Sequence, residues 1–140
     1  MQANQLAHTK TDDLVSEFYH EWGSDMSDLL GTWDNVNPKT GQISRIIVTS
    51  ENQQLKLQAF GKLNEGEMDW GTVVCEIFSS NVASPTVEGF MCRFNFDFMH
   101  VQIAGNMKYG VMVIQSYNTF TDGTSRNNYF SREFFCKLNA

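Results

Sequence analysis

Five polar side chains stand where a period-two pattern calls for apolar ones. Arg45 lies between Ile43 and Ile47 in "QISRIIVTS". Glu76 alternates with Trp70, Val74 and Phe78 in "DWGTVVCEIF". Arg132 lies between Phe130 and Phe134 in "YFSREFF", and Gln115 and Tyr117 continue the face of Val111 and Val113. A lone charge on a buried face is too costly to persist, so such groups pair, reach a rim, or meet a polar ligand head in a cavity. If the charged three converge, two Arg against one Glu leave a guanidinium over. Its fork of donors suits a carboxylate, enolate or carbonyl. A carboxyl at Glu76 beside aromatic rings suits general acid or base work. The catalytic candidates are therefore Glu76, Arg45 and Tyr117. The ligand-binding candidates are Arg132, Gln115, Trp70, Phe94 and Phe134. The purely structural alternative pairs Glu76 with Arg45 or Arg132, or leaves them at a wet rim.

Other chemistries have little to work with. His8, His20 and His100 are scattered, and no C-x-x-C or H-x-x-x-H spacing occurs, so no metal site is expected. His100, opposite Val101 and Ile103, reads as solvated. Neither G-x-S-x-G nor a phosphate-binding Gly-rich loop is present, and no cofactor is expected. Cys75, Cys92 and Cys136 are odd in number, far apart and set in apolar strand patterns. They read as reduced, slow-reacting core thiols of a cytoplasmic protein. The net charge of −6 argues against nucleic acid and against anionic membrane surfaces. No run of 18 apolar residues is present for a bilayer span, and "MQANQLAHTKTDD" lacks the plan of a secretory signal.

The elements that must position these residues follow from periodicity. The 140 residues fit one domain. Residues 1–10 read as a flexible N-terminus, and 11–140 as a single barrel domain. Leu14, Phe18 and Trp22 recur at helical spacing, with Thr11 as cap and Gly23 as stop, which predicts a helix over 11–23. "SDMSDLL" predicts one further helical turn. From Gly31 to Leu138 the period is two, in eight runs separated by short turns such as "NPKTG" and "TDGTSRNN". Such short connections allow only antiparallel neighbours. An all-β, eight-stranded antiparallel up-and-down barrel with an N-terminal α-helix (barrel 31–138) is the expected fold, because closure removes exposed edges. A flat meander with the helix on one face is the alternative. Both faces of the second, fourth and seventh strands are apolar, so alternation leaves their inward faces open.

"SDMSDLLGTW" resembles the opening of the calycin superfamily, the lipocalins, fatty-acid-binding proteins and avidins, in which a Gly-x-Trp starts the first strand after a helical turn that plugs the barrel. The resemblance implies that Trp33 closes the barrel base. It also implies that a basic residue from the last strand, here Arg126 or Arg132, lies over that ring. The chain lacks the lipocalin's terminal helix and has too few tryptophans for an avidin's biotin site. The expected function is binding of a small, largely apolar molecule in the barrel, among its eleven Phe and seven Met. The alternative is a cofactor-free cyclase or isomerase using the same cavity. Phe60 and the second apolar faces of several strands could also serve an interface between copies, making a homo-oligomer.

Overall fold

The computed structural model describes residues 24–138, so the expected flexible stretch 1–10 and the helix over 11–23 lie outside the described residues. Eight strands follow in chain order: β1 (Gly31–Asn35), β2 (Ile43–Glu51), β3 (Gln54–Lys62), β4 (Glu67–Ser79), β5 (Val87–Asn95), β6 (Met99–Lys108), β7 (Val111–Phe120) and β8 (Tyr129–Lys137). Each pairs antiparallel with the next, and β8 returns to β1 to close the barrel. Two hairpins turn on paired positive-φ residues, Asn52–Gln53 (54°, 65°) and Tyr109–Gly110 (52°, 79°). That geometry matches the right-handed twist of the flanking strands. No helix among the described residues is long and apolar enough to cross a membrane.

Alternation fills the interior. Leu55, Leu57 and Ala59 of β3, Phe90, Cys92 and Phe94 of β5, and Val101 and Ile103 of β6 are all buried, as their strict apolar–polar pattern predicts. The last three residues of the run "TVEGFMCRFNFDF", whose alternation predicts strand to Phe98, behave differently. β5 ends at Asn95, and Phe96 and Phe98 sit on the turn into β6. The Gly and Asn of "GNMKYG" predict a turn from Gly105, but the turn is tighter, because β6 runs on to Lys108.

One barrel end is plugged. "SDMSDLL" contributes a 3-10 turn over Ser27–Leu29, and Met26 and Leu29 are buried beneath the strands. Asp25 bridges to Thr86, which pins this turn to the β4–β5 loop. Trp33 is 1% exposed, and its indole Nε1–H donates to the Leu29 carbonyl at 3.0 Å. The basic group over the ring is neither Arg126 nor Arg132 but Lys137, whose Nζ lies 5.1 Å from the ring centroid. The strand register explains this, since Trp33 faces Lys137 directly across the β1–β8 seam.

Two register shifts decide which side chains point inward. In β2, Ile43 pairs with Gly61 and Arg45 with Phe60, so Ser44 is an extra residue. A bulge resets the alternation. Ile43, Ile46 and Val48 are buried, and Arg45 lies outside with Ile47 rather than beside Ile43. In β4, Ala59 pairs with Gly71 and Phe60 with Asp69, which leaves Trp70 extra. Gly71 takes φ +93° here. Trp70 thereby leaves the outer face of Val74, Glu76 and Phe78 and packs against the core.

Candidate functional site

The barrel end opposite the plug is open. The β1–β2, β3–β4, β5–β6 and β7–β8 connections meet there around a cavity of about 260 Å³. Its walls differ in chemistry. One is aromatic and thioether: Trp70, Phe96, Phe98, Met68 and Met99, with Leu63 at the rim. Trp70 meets Phe94 and Phe96 edge-on at 5.6 and 5.3 Å, and Phe96 stacks on Phe98 at 6.1 Å. Edge-on and offset stacks are the favourable arrangements for such rings. The Trp70 indole lies over Gly61. A Cβ there would come within 2.5 Å of Nε1, so the ring needs a glycine at that position.

Another wall is polar and comes from β7, β8, the β1–β2 loop and the end of β3. Asn118, Tyr129, Gln42 and Lys62 reach the cavity. Asn118 is 3% exposed, and its Nδ2 donates to Ser116 Oγ at 3.3 Å and to the Tyr129 carbonyl at 3.2 Å. Ser116 and Ser131 share a hydrogen bond at 2.7 Å. Deeper in the seam, the Glu133 carboxylate accepts from Asn35 Nδ2 at 3.0 Å and from Thr40 Oγ1 at 2.8 Å. These contacts tie the β1–β2 loop to β8. Above the mouth, Arg126 of the β7–β8 loop stacks on Phe120, 4.1 Å from the centroid, and pairs with Asp122.

The residues singled out by chemistry divide between inside and outside. Trp70 lines the cavity, and Phe94 is buried against it. Arg45 lies on the outer face, where its guanidinium pairs with Glu67 at 2.8 Å and covers the Phe60 ring at 4.3 Å. Its Nε is enclosed and donates to nothing among the described residues. Gln115, Tyr117, Arg132 and Phe134 form one outer patch on β7 and β8. Gln115 pairs across strands with Arg132 and donates to the Tyr117 hydroxyl at 2.8 Å. Glu76 lies in the same cross-strand row as Arg132, but Met91, Ala104 and Gln115 stand between them. Four strand spacings make a separation on the order of 19 Å around the barrel. Arg45, Glu76 and Arg132 therefore do not converge on the interior. A carbon skeleton in the cavity would meet none of the three.

Asn118, Phe96, Phe98, Met99 and Tyr129 escaped the reading of the sequence. Asn118 has the same inward phase as Met112, Ile114 and Ser116, whereas Gln115 and Tyr117 have the outward one. The step from apolar to small polar residues along Met112, Ile114, Ser116 and Asn118 was the available signal.

The cysteines also separate. Cys75 and Cys92 are buried and unoxidised, and the Cys75 contact followed by burial pushes the Cys92 thiol far up from its ordinary range. Cys136 is exposed on the outer face, contrary to the expectation of three buried thiols. It belongs to the outward phase of β8, beside Phe135, which points in. Among the described residues, no group of three or more His, Cys, Asp or Glu side chains is placed to hold a metal ion.

Fold and site together define a class: a closed eight-stranded antiparallel barrel, plugged at one end and open at the other over an aromatic cavity. Compared with protein-family models, curated proteins and solved structures, the chain finds no match.

Proposed function

We propose that the protein is a calycin-like binding protein that holds a small, largely apolar molecule in the open mouth of the barrel. The observation that carries this reading is the cavity itself. It is enclosed on one side by Trp70, Phe96, Phe98 and two methionines, and it opens away from the plugged end. Pockets for small ligands are concave, mostly apolar, and carry a few placed polar groups. At about 260 Å³ this one suits a ligand of one or two rings rather than a long lipid. A binding role fits better than a cyclase or isomerase. The titratable side chains at the cavity are Lys62 and Tyr129, and no carboxylate or imidazole among the described residues lines it.

The test is titration of the protein with naphthalene, indole and 2-naphthol, read by calorimetry. Saturable one-to-one binding is expected, with Kd on the order of 10–100 µM for ligands of this size. Met99→Trp fills the cavity from its wall. It should abolish binding while leaving the melting temperature within a few degrees of the parent. Unchanged affinity in Met99→Trp, or no saturation by any of the three, would overturn the assignment.

A further inference from the structure

Asn118 holds a hydrogen-bond acceptor that the described protein does not use. The Tyr129 carbonyl opposite its Nδ2 fixes the orientation of the amide. The Tyr129 carbonyl can only accept, so the NH2 must face it, and Nδ2 also reaches Ser116 Oγ. The carbonyl end of the amide then points the other way. Its Oδ1 accepts no hydrogen bond from the described residues, yet it is not sealed among protein atoms, and Asn118 borders the cavity. A side chain only 3% exposed thus presents an open lone pair to that space. A buried polar group left unpaired is costly, and one that a ligand can pair becomes a source of discrimination.

Phe96, Phe98 and the indole of Trp70 line the same cavity. The two walls demand different things of one molecule. The aromatic wall rewards a planar ring, and the amide oxygen rewards an O–H or N–H projecting from that ring's edge. A carboxylate would set its charge against the Asn118 oxygen, so the wall selects against an acid placed there. Resting on the binding role proposed above, we infer that the ligand is a planar aromatic bearing a hydrogen-bond donor, a phenol or a ring N–H, which Asn118 Oδ1 accepts. Asn118 is then the specificity-determining residue of the cavity.

Three probes of one skeleton separate this inference from the binding role itself: naphthalene, 2-naphthol and 2-methoxynaphthalene. On the unmodified protein 2-naphthol should bind at least tenfold more tightly than either of the others. In Asn118→Leu, which keeps the number and branching of side-chain heavy atoms but removes the acceptor, that preference should vanish while naphthalene still binds. Binding of all three within threefold of one another on the unmodified protein would refute the donor requirement and leave the binding role standing. So would a 2-naphthol preference that survives in Asn118→Leu. If none of the three saturates, the cavity is not the site and both readings fall. The ratio on the unmodified protein needs no variant, so it decides even if Asn118→Leu does not fold.

Discussion

Arg45 is a case of a polar residue on an apolar strand whose explanation is structural. The Ser44 bulge turns it outward, its planar fork lies on Phe60, and Glu67 neutralises it. A pair this exposed contributes little by charge alone, and the stacking adds about 0.5–1 kcal/mol. Arg45→Met should therefore cost about 1 kcal/mol by chemical denaturation and leave affinity for cavity ligands unchanged. The pair also has a pH signature. The Ser44 hydroxyl, above all, holds the Glu67 carboxyl below its ordinary 4.5; desolvation opposes it, and the Arg45 guanidinium adds to the lowering. A carboxyl depressed in the folded state stabilises the fold above its unfolded value, and that contribution is lost as the pH falls through the folded one. Ser44→Ala should flatten the loss of stability below about pH 4.5. Equal acid sensitivity in parent and Ser44→Ala would show that the hydroxyl does not hold the carboxylate.

At the scale of the element, one buried hydroxyl helps tie the β1–β2 loop to β8. Thr40 is buried, and its Oγ1 donates to the inward-facing Glu133 of β8. Hydrogen bonds to ionised groups contribute about 1.5–3 kcal/mol, and Thr40→Val should lose that amount. The measurement is denaturant unfolding with an unchanged slope. A loss under about 0.5 kcal/mol would mean that Asn35 holds the carboxylate without help. The strands also differ in how openly the chain declares them. β3, β5 and β6 carry apolar residues on one face and polar ones on the other, and their inward sets were readable by eye. β2 and β7 are apolar on both faces, so either phase satisfied the pattern. β4 is worse, because an extra residue at Trp70 changes phase within the strand. A bulge depends on pairing with a neighbour, and nothing in the local run of residues announces it. That is why Trp70 was grouped with Glu76 although the two point to opposite sides. It is also why the candidate site was read from the wrong face of β7, through Gln115 and Tyr117 instead of Asn118.

For the whole molecule, the ordering of side chains along the barrel axis matters more than any one contact. The lower half is dry: Leu29, Trp33, Val48, Leu57, Ile103, Met112 and Phe135 are almost fully enclosed. The upper half is split, aromatic toward β4–β6 and polar toward β7–β8 and the β1–β2 loop. The lower half can carry the stability while the upper half leaves room for a guest. Large exposed side chains also lie outside, with Phe130, Phe134 and Tyr117 at 64%, 48% and 49% exposure. They form an aromatic patch around Gln115 and Arg132 on β7 and β8.

The seam between β1 and β8 is shorter than the other junctions but antiparallel like all of them, with Trp33, Asp34 and Asn35 in register with Lys137, Cys136 and Phe135. A ring of hairpins has no first member, so the place where the chain is cut is a matter of ancestry and not of architecture. A circularly permuted protein that joins residue 140 to residue 1 and opens between Tyr109 and Gly110 should therefore rebuild the same barrel. Tyr109 is 92% exposed, so the new ends fall at a surface hairpin opposite the cavity mouth. The permutant should give the same far-ultraviolet circular dichroism, melt within about 10 °C of the parent and keep its affinity for 2-naphthol. A permutant that stays unfolded would mean that the β6–β7 hairpin must form early, and that the eight junctions, alike in the finished ring, are not alike in the order of their making.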